Sequence, residues 1–262
     1  METTYKRIFS GFGENLLSFL TYFGGLAVLA SQAMKSLFAR KFPLQATIEQ
    51  CHFVGIKSLN LVNLIAVFTG MVLALQFAVG LGRFGLKLYI GQVIGLAIIR
   101  ELGPVLTSLM LAARVGSGIA AELGSMVVTE QVMAIEALGA NPIQKLVLPR
   151  LVATVLAAPL LTVIGNTVGI IGGMLITVME ASVTPRFYFD QIQKTVAIND
   201  FLSGVSKTIF FGFFIALIAC YEGLKTRGGT VGVGKATTYA VVFSSVMIFV
   251  ADFFLTKLFL IL

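Results

Sequence analysis

Long apolar stretches alternate along this chain with short polar connections. Residues 61–80, 102–128, 147–179 and 239–262 carry few charges or none, and residues 202–221 carry one, Lys207. A helix that crosses a bilayer needs about 20 mostly apolar residues, so these stretches predict five spans. Residues 15–34 are also uncharged, but Gly24 and Gly25 break the run and Ser18, Thr21, Ser31 and Gln32 dot it. That segment is either a sixth span or a helix lying in the membrane interface, and basic residues on both sides of it favour the interface. Between the second and third spans the pattern changes. Thr129 is placed to cap a helix, Glu130 stands in its first turn, and Val132, Ile135 and Leu138 follow at helical spacing. Gly139 and Pro142 close it, so the stretch 129–140 predicts a short amphipathic helix.

Composition agrees with the membrane reading, since 57% of residues are hydrophobic and 12% charged. So apolar a chain cannot cover a soluble domain with a solvated surface. The net charge of +7 does not point to nucleic acid, because the basic residues are scattered beside spans with no aromatic-interleaved patch. They read better as topology signals. Lys6, Arg7, Lys35, Arg40, Lys41 and Lys57 precede the first span; Arg114, Lys145 and Arg150 flank the central connection; Lys225, Arg227 and Lys235 lie in the last one. The alternate connections hold Arg83 and Lys87, then Arg186 and Lys194. By the positive-inside rule the N-terminal region, the amphipathic helix and the last connection are cytoplasmic. No secretory signal pattern stands at the start, and the first methionine is expected to be retained. The expected fold is an all-α integral membrane protein: an interfacial N-terminal region over 1–60, then a five-span domain over 61–262 with a short cytoplasmic helix near 129–142.

Motifs for bond chemistry fail on inspection. "GGTVGVGKAT" nearly makes a phosphate-binding loop, but Ala236 stands where a Ser or Thr hydroxyl must reach magnesium, and no buried strand precedes it. "LSGVS" at 202–206 resembles part of the signature sequence of transporter ATPases, yet it lacks the second glycine and the glutamine and opens an apolar segment. There is no GxSxG elbow, and the single histidine, His52, with adjoining Cys51, cannot fill a tetrahedral metal site. Cys51 and Cys220 are too far apart in sequence to form a CxxC pair. No catalytic residue and no metal ligand is expected on this chain.

Two other patterns bear on packing and function. Small residues at four-residue spacing, Gly165, Gly169 and Gly173 in one ridge and Gly116, Ala120 and Gly124 in another, allow close helix approach, within the bundle or between subunits. Charges also stand where they are costly: Arg100 and Glu101 just before Gly103 and Pro104, Lys207 and Asp252 each inside an apolar run. A charge at the bilayer centre costs about 2.5 to 3.5 kcal/mol on insertion scales, so each must face protein or water. Arg100 with Asp252, or Glu101 with Lys207, would lock helices together as ion pairs. Alternatively the four form a polar zone for a charged or zwitterionic headgroup. Pro104, and Pro159 in the third span, remove backbone hydrogen bonds and are candidate kinks.

The central connection resembles the loop by which ABC transporter permeases insert into a groove on their ATPase. The resemblance extends further through "GMVLALQ" at 70–76, "RELGPVLTSLMLAARVGSGIAAELGSMVVTEQVMAIEALGANP" at 100–142, "PRLVATVLAAPLLTVIGNTVGIIGG" at 149–173 and "ADFFLT" near the end. From about residue 61 onward the chain is similar to the MlaE/YrbE permease family, the membrane subunits of bacterial Mla phospholipid transporters. That resemblance implies a homodimer with an outward-facing lipid cavity, a cytoplasmic ABC ATPase that binds ATP and Mg, a STAS-domain protein, and a periplasmic hexameric ring of MCE-domain subunits. It implies no cofactor on this chain. It places Arg100, Glu101, Lys207 and Asp252 in or near the cavity, with Leu73, Leu81 and Phe84 near the acyl chains. It makes Glu130, Ile135, Glu136, Leu138 and Gly139 part of the coupling helix. The implied location is a bacterial inner membrane, crossed several times, with the N-terminus cytoplasmic; plastid relatives exist, but no Arg- and Ser-rich transit segment is present. The rival class is an ion- or proton-coupled secondary transporter using Glu101 and Asp252, which would work without an ATPase and would carry an inverted repeat. A pure scaffold would leave the charges as packing locks.

Overall fold

The computed structural model describes residues 2–37 and 42–261. Arg40, Lys41 and Leu262 lie outside the described residues, as do the side chains of Lys6 and Arg7. The described residues form helices and no strands: α1 (Glu2–Leu37), α2 (Leu44–Val54), α3 (Leu59–Gly82), α4 (Ile90–Ala97), α5 (Gly103–Leu111), α6 (Ser117–Val128), α7 (Gln131–Ala137), α8 (Leu148–Ala181), α9 (Pro185–Thr195), α10 (Ile198–Leu224) and α11 (Gly229–Ile261). Among them five helical units are long and apolar enough to cross a membrane: Leu44–Gly82, Lys87–Val128, Ile143–Ala181, Ile198–Leu224 and Gly229–Phe259. Each contains or largely contains one of the five predicted stretches. The first begins well before residue 61, because a single tight turn at Ile56–Ser58 joins α2 to α3.

α8 occupies the centre, with α2 and α3 along one side and α10 along another, while α6, α10 and α11 pack on one another. Of its most apolar stretch 61% is buried, against 17% for the first and last units, which therefore present their long apolar faces outward. In a bilayer those faces cost nothing in exposed polar groups, since every helix satisfies its own backbone. The first ridge of small residues is spent inside the chain. A Cβ on Gly70 of α3 would lie 1.9 Å from the Gly169 carbonyl oxygen of α8, and one on Gly172 would lie 2.6 Å from that of Val67. The second ridge faces α10 and the connection after it: a Cβ on Gly124 would lie 2.8 Å from Thr226 Oγ1, and Gly223 approaches the Ala120 backbone.

Two regions depart from simple helices. The second unit is interrupted by wide, π-helical turns at Ile98–Leu102 and Ala112–Gly116, and a third such turn, Ile143–Val147, leads into α8. Pro104 stands at the start of α5 directly after the first of these, so its missing N–H falls where the helix is already rewound. α8, by contrast, runs unbroken through Pro159. α1 is one continuous helix across residues 15–34, with Gly25 facing the Tyr221 ring. It buries Leu26, Leu29 and Ala33 and packs against α10 and the turn ahead of α8, leaving Leu17, Leu20 and Val28 exposed.

Candidate functional site

Three helices that are remote in sequence bring the intramembrane charges together. The wide turn Ile98–Leu102 carries Arg100 and Glu101, α10 carries Lys207, and α11 carries Asp252. The Lys207 ammonium donates to Glu101 Oε2 at 2.9 Å, Asp252 Oδ1 at 3.1 Å, Thr256 Oγ1 at 2.6 Å and the Arg100 carbonyl oxygen at 3.1 Å. An ammonium has three N–H groups, so its donors are fully engaged. The lysine is 2% exposed, while Glu101 and Asp252 are 38% and 19% exposed. One cation thus faces two carboxylates, and the excess negative charge sits on the side chains that reach outward.

Of the two ion pairs weighed from sequence, Glu101 with Lys207 forms and Arg100 with Asp252 does not. Neighbouring residues on a helix point about 100° apart. With Glu101 turned toward Lys207 and Asp252, Arg100 is turned to the start of α10, where its Nη1 lies 3.5 Å from Asp200 Oδ1. Asp200 also accepts from the Ala197 backbone N–H at 2.9 Å, so it fastens the N-terminus of α10 as well. Sequence reasoning missed Asp200 and Thr256. Thr256 had a signal, being four residues after Asp252 on one helix and hence on the same face.

The apolar candidates divide. Leu73 and Leu81 pack against a second apolar cluster, built around Ile90, Ile94, Ile98 and Tyr188, at the end of the bundle where Arg100 lies. Phe84 stands past the end of α3, 78% exposed, and joins neither group. Tyr188 of α9 is buried with its hydroxyl donating to the Ile170 carbonyl at 3.3 Å, and burial pushes its ionisation well above the ordinary phenol range. Beside it Gln92 of α4 hydrogen-bonds Gln191 of α9.

The amphipathic helix at the opposite end differs from its expected form. Thr129 does not cap it; Thr129 ends α6, with its hydroxyl donating to the Ser125 carbonyl at 2.8 Å. The cap position falls to Glu130, whose φ of 60° is left-handed and turns the chain sharply enough to start α7 at Gln131. Gly139, at φ 74°, reverses the chain after Leu138, a conformation in which glycine pays no Cβ penalty. No residue of α7 is buried; Val132 and Ile135 rest against the main core, and Glu136 and Leu138 point away from it, Leu138 being 85% exposed.

Two charges read as flanking signals belong inside the bundle. Arg114 lies in the second wide turn, donates to Ser58 Oγ at 2.6 Å and the Phe53 carbonyl at 3.3 Å, and stacks over the Phe53 ring. Arg150 is buried against Glu122 at 2.8 Å and donates to the Leu146 carbonyl. Lys145 remains exposed between α7 and α8.

A multi-spanning helical membrane protein with an ion cluster enclosed by three of its spans and an exposed helix on a connection has the build of a transporter membrane subunit. The family model described as Permease MlaE matches residues 47–258. This chain belongs to the MlaE permease family. It is 38% identical over 247 residues to "Probable ABC transporter permease protein" of Rickettsia felis, covering 94% of this chain and 95% of the relative. It is 33% identical over 252 residues to "Intermembrane phospholipid transport system permease protein MlaE" of Haemophilus influenzae, covering 95% and 96%. It is also 39% identical over 232 residues to "Protein TRIGALACTOSYLDIACYLGLYCEROL 1, chloroplastic" of Arabidopsis thaliana, covering 88% and 66%.

Proposed function

We propose that this chain is the membrane subunit of an ABC transporter that moves phospholipid between a bacterial inner membrane and a periplasmic MCE-domain ring. Two copies would enclose an outward-facing lipid cavity, with the N-terminus on the cytoplasmic side. ATP and Mg would be held on a separate cytoplasmic ATPase, itself bound to a STAS-domain protein. The observation that carries the reading is the enclosed Lys207, Glu101 and Asp252 cluster within an MlaE-family chain.

The physical requirements follow from the cargo. Each acyl CH₂ taken from the bilayer costs about 0.8 kcal/mol unless an apolar wall replaces it, so extraction needs both a wall and an energy source. Leu73, Leu81 and Phe84 would contribute apolar surface at the outer end. Glu101 and Asp252, the partly accessible members of a cluster with excess negative charge, would meet the polar headgroup, with Arg100 beside them. At the cytoplasmic end Glu130, Glu136, Leu138 and Gly139 would seat α7 on the ATPase, and Ile135 would transmit its movement to the core it rests on.

The test is gentle detergent purification of the tagged chain from its native cells, followed by identification of accompanying chains and mass spectrometry of bound lipid. An ATPase and an MCE protein recovered with phospholipid is the expected outcome. A chain that purifies alone and lipid-free, and that carries solute down an imposed ion gradient, would instead establish the secondary-transporter reading.

A further inference from the structure

At the end of the bundle away from Lys207, α1, α10 and α11 surround a cavity of about 1010 Å³ that contains none of the site residues considered above. Its position is fixed by Thr226, which lines it and also touches Gly124 near the end of α6, so it opens on the membrane face that carries α7. One rim is basic: Lys225, Arg227 and Lys235 are all exposed there. Glu222 is the one carboxylate lining the cavity, and none of the three cations forms an ion pair with it or with any other described acid. Lys225 instead lies over the rings of Tyr22 and Tyr221, at 5.7 and 5.5 Å. Below this rim the wall becomes aromatic and then aliphatic, from Tyr239 and Phe243 to Val246 and Val250 along α11. Tyr22 of α1 packs on Phe243 at 5.0 Å, which gives the wall a second side.

Along α10 and α11 the basic rim stands about 25 Å from Lys207 and Asp252 by helix rise, close to the thickness of a bilayer's hydrocarbon core. Lys225 and Arg227 stand in the connection between the spans Ile198–Leu224 and Gly229–Phe259, and Lys235 near the start of the second, so the rim falls near the level of phosphate groups, with tyrosines where interfacial aromatics belong and valines at the depth of acyl chains. We infer that this cavity binds an anionic phospholipid of the leaflet on the α7 side, its phosphate held by Lys225, Arg227 and Lys235 and one acyl chain lying along Phe243, Val246 and Val250. The charge pattern selects this occupant: an uncharged amphiphile would leave the cations uncompensated, and a soluble anion would leave the apolar wall bare. The site is separate from the Lys207 cluster and does not depend on whether the chain transports lipid.

The chain contains no tryptophan, so Phe243→Trp makes a unique reporter inside the cavity. The full chain carrying it is placed in nanodiscs of phosphatidylcholine, and phosphatidylglycerol or phosphatidylcholine brominated on one acyl chain is added in steps while fluorescence quenching is read. Leu64→Trp, on an outward face of α3, serves as the reporter for ordinary bilayer contact. The expected result is half-quenching of the Phe243→Trp reporter at a mole fraction of phosphatidylglycerol roughly 10-fold lower than of phosphatidylcholine, with no such preference at Leu64→Trp. Replacing Lys225, Arg227 and Lys235 with Gln removes the preference, and replacing both lysines with Arg keeps it. Equal quenching by the two lipids, no quenching by either, or a preference that survives the Gln substitutions overturns the proposal. The measurement needs no turnover, so a failure of the transport reading would leave it intact.

Discussion

Lys207 is the residue on which the intramembrane cluster depends, because it is the one cation among the described residues that pairs with Glu101 and Asp252. Lys207→Met would leave two carboxylates without their shared ammonium, with the Thr256 hydroxyl still donating to Glu101. Breaking a buried pair from one side costs about 3 to 5 kcal/mol, and the lower end applies here since Glu101 keeps some water. The loss should appear as a lowered thermal midpoint in detergent, with Lys207→Arg recovering part of it. Glu101→Gln behaves differently: Lys207 keeps Asp252 and Thr256, so stability changes little while lipid-stimulated turnover falls. A Glu101→Gln protein with full turnover would reduce the cluster to a packing lock. A second prediction concerns Gly70, whose missing Cβ lets α3 touch the α8 backbone. Gly70→Ala places a methyl against the Gly169 carbonyl, which no rotamer change relieves, and should cost about 1 to 3 kcal/mol in the same melting assay. That four charges would seek partners was legible in the sequence from the cost of placing them in apolar runs. Their pairing was not, because Lys207 meets Glu101 across 106 residues and Asp252 across 45, a choice made by how three helices are rotated against one another.

At the scale of elements, α7 offers the sharpest separation of structure from function. Glu136 and Leu138 are exposed and, among the described residues, belong to no ion pair and no apolar cluster, so Glu136→Lys with Leu138→Asp should shift stability by no more than about 0.5 kcal/mol. If Leu138 anchors the helix in an ATPase groove, the same double change should weaken association with that ATPase by about 10-fold or more and uncouple its turnover. Unchanged turnover in a complex that still assembles would remove α7 from the coupling path. The helix itself was readable from the spacing of Val132, Ile135 and Leu138 and from Gly139. Its start was not, since nothing about Glu130 announces the left-handed backbone that sets Thr129 outside. The wide turns were hidden for a related reason: an extra residue in a helical turn leaves the apolar pattern of the second unit almost unaltered, and Pro104 alone hinted at the first of them.

For the whole molecule, length and hydropathy were enough to locate five membrane-crossing units, whereas the cavity among α1, α10 and α11 exists only because α1 folds back onto α10. The molecule's two ends are chemically distinct, one with an ion cluster carrying an excess of carboxylates and the other with the exposed cations Lys225, Arg227 and Lys235 and with α7, whose outer residues Glu136 and Leu138 point away from the core that Val132 and Ile135 rest on. That polarity is what an ATP-driven lipid permease requires, because the energy must enter at one face and the cargo must leave at the other. It gives a prediction that separates the two transporter classes. If the proposed ATPase partner is recovered and reconstituted with this chain in liposomes, the complex should hydrolyse ATP faster when phospholipid acceptor protein is supplied, and transfer of fluorescent phospholipid to that acceptor should stop when the ATPase is omitted or its nucleotide site is disabled. An imposed proton gradient alone should move no lipid, since Glu101 and Asp252 are already engaged by Lys207 and would act as headgroup contacts, not carriers. Transfer driven by the gradient without ATP, and abolished by Glu101→Gln, would assign those carboxylates to proton coupling instead.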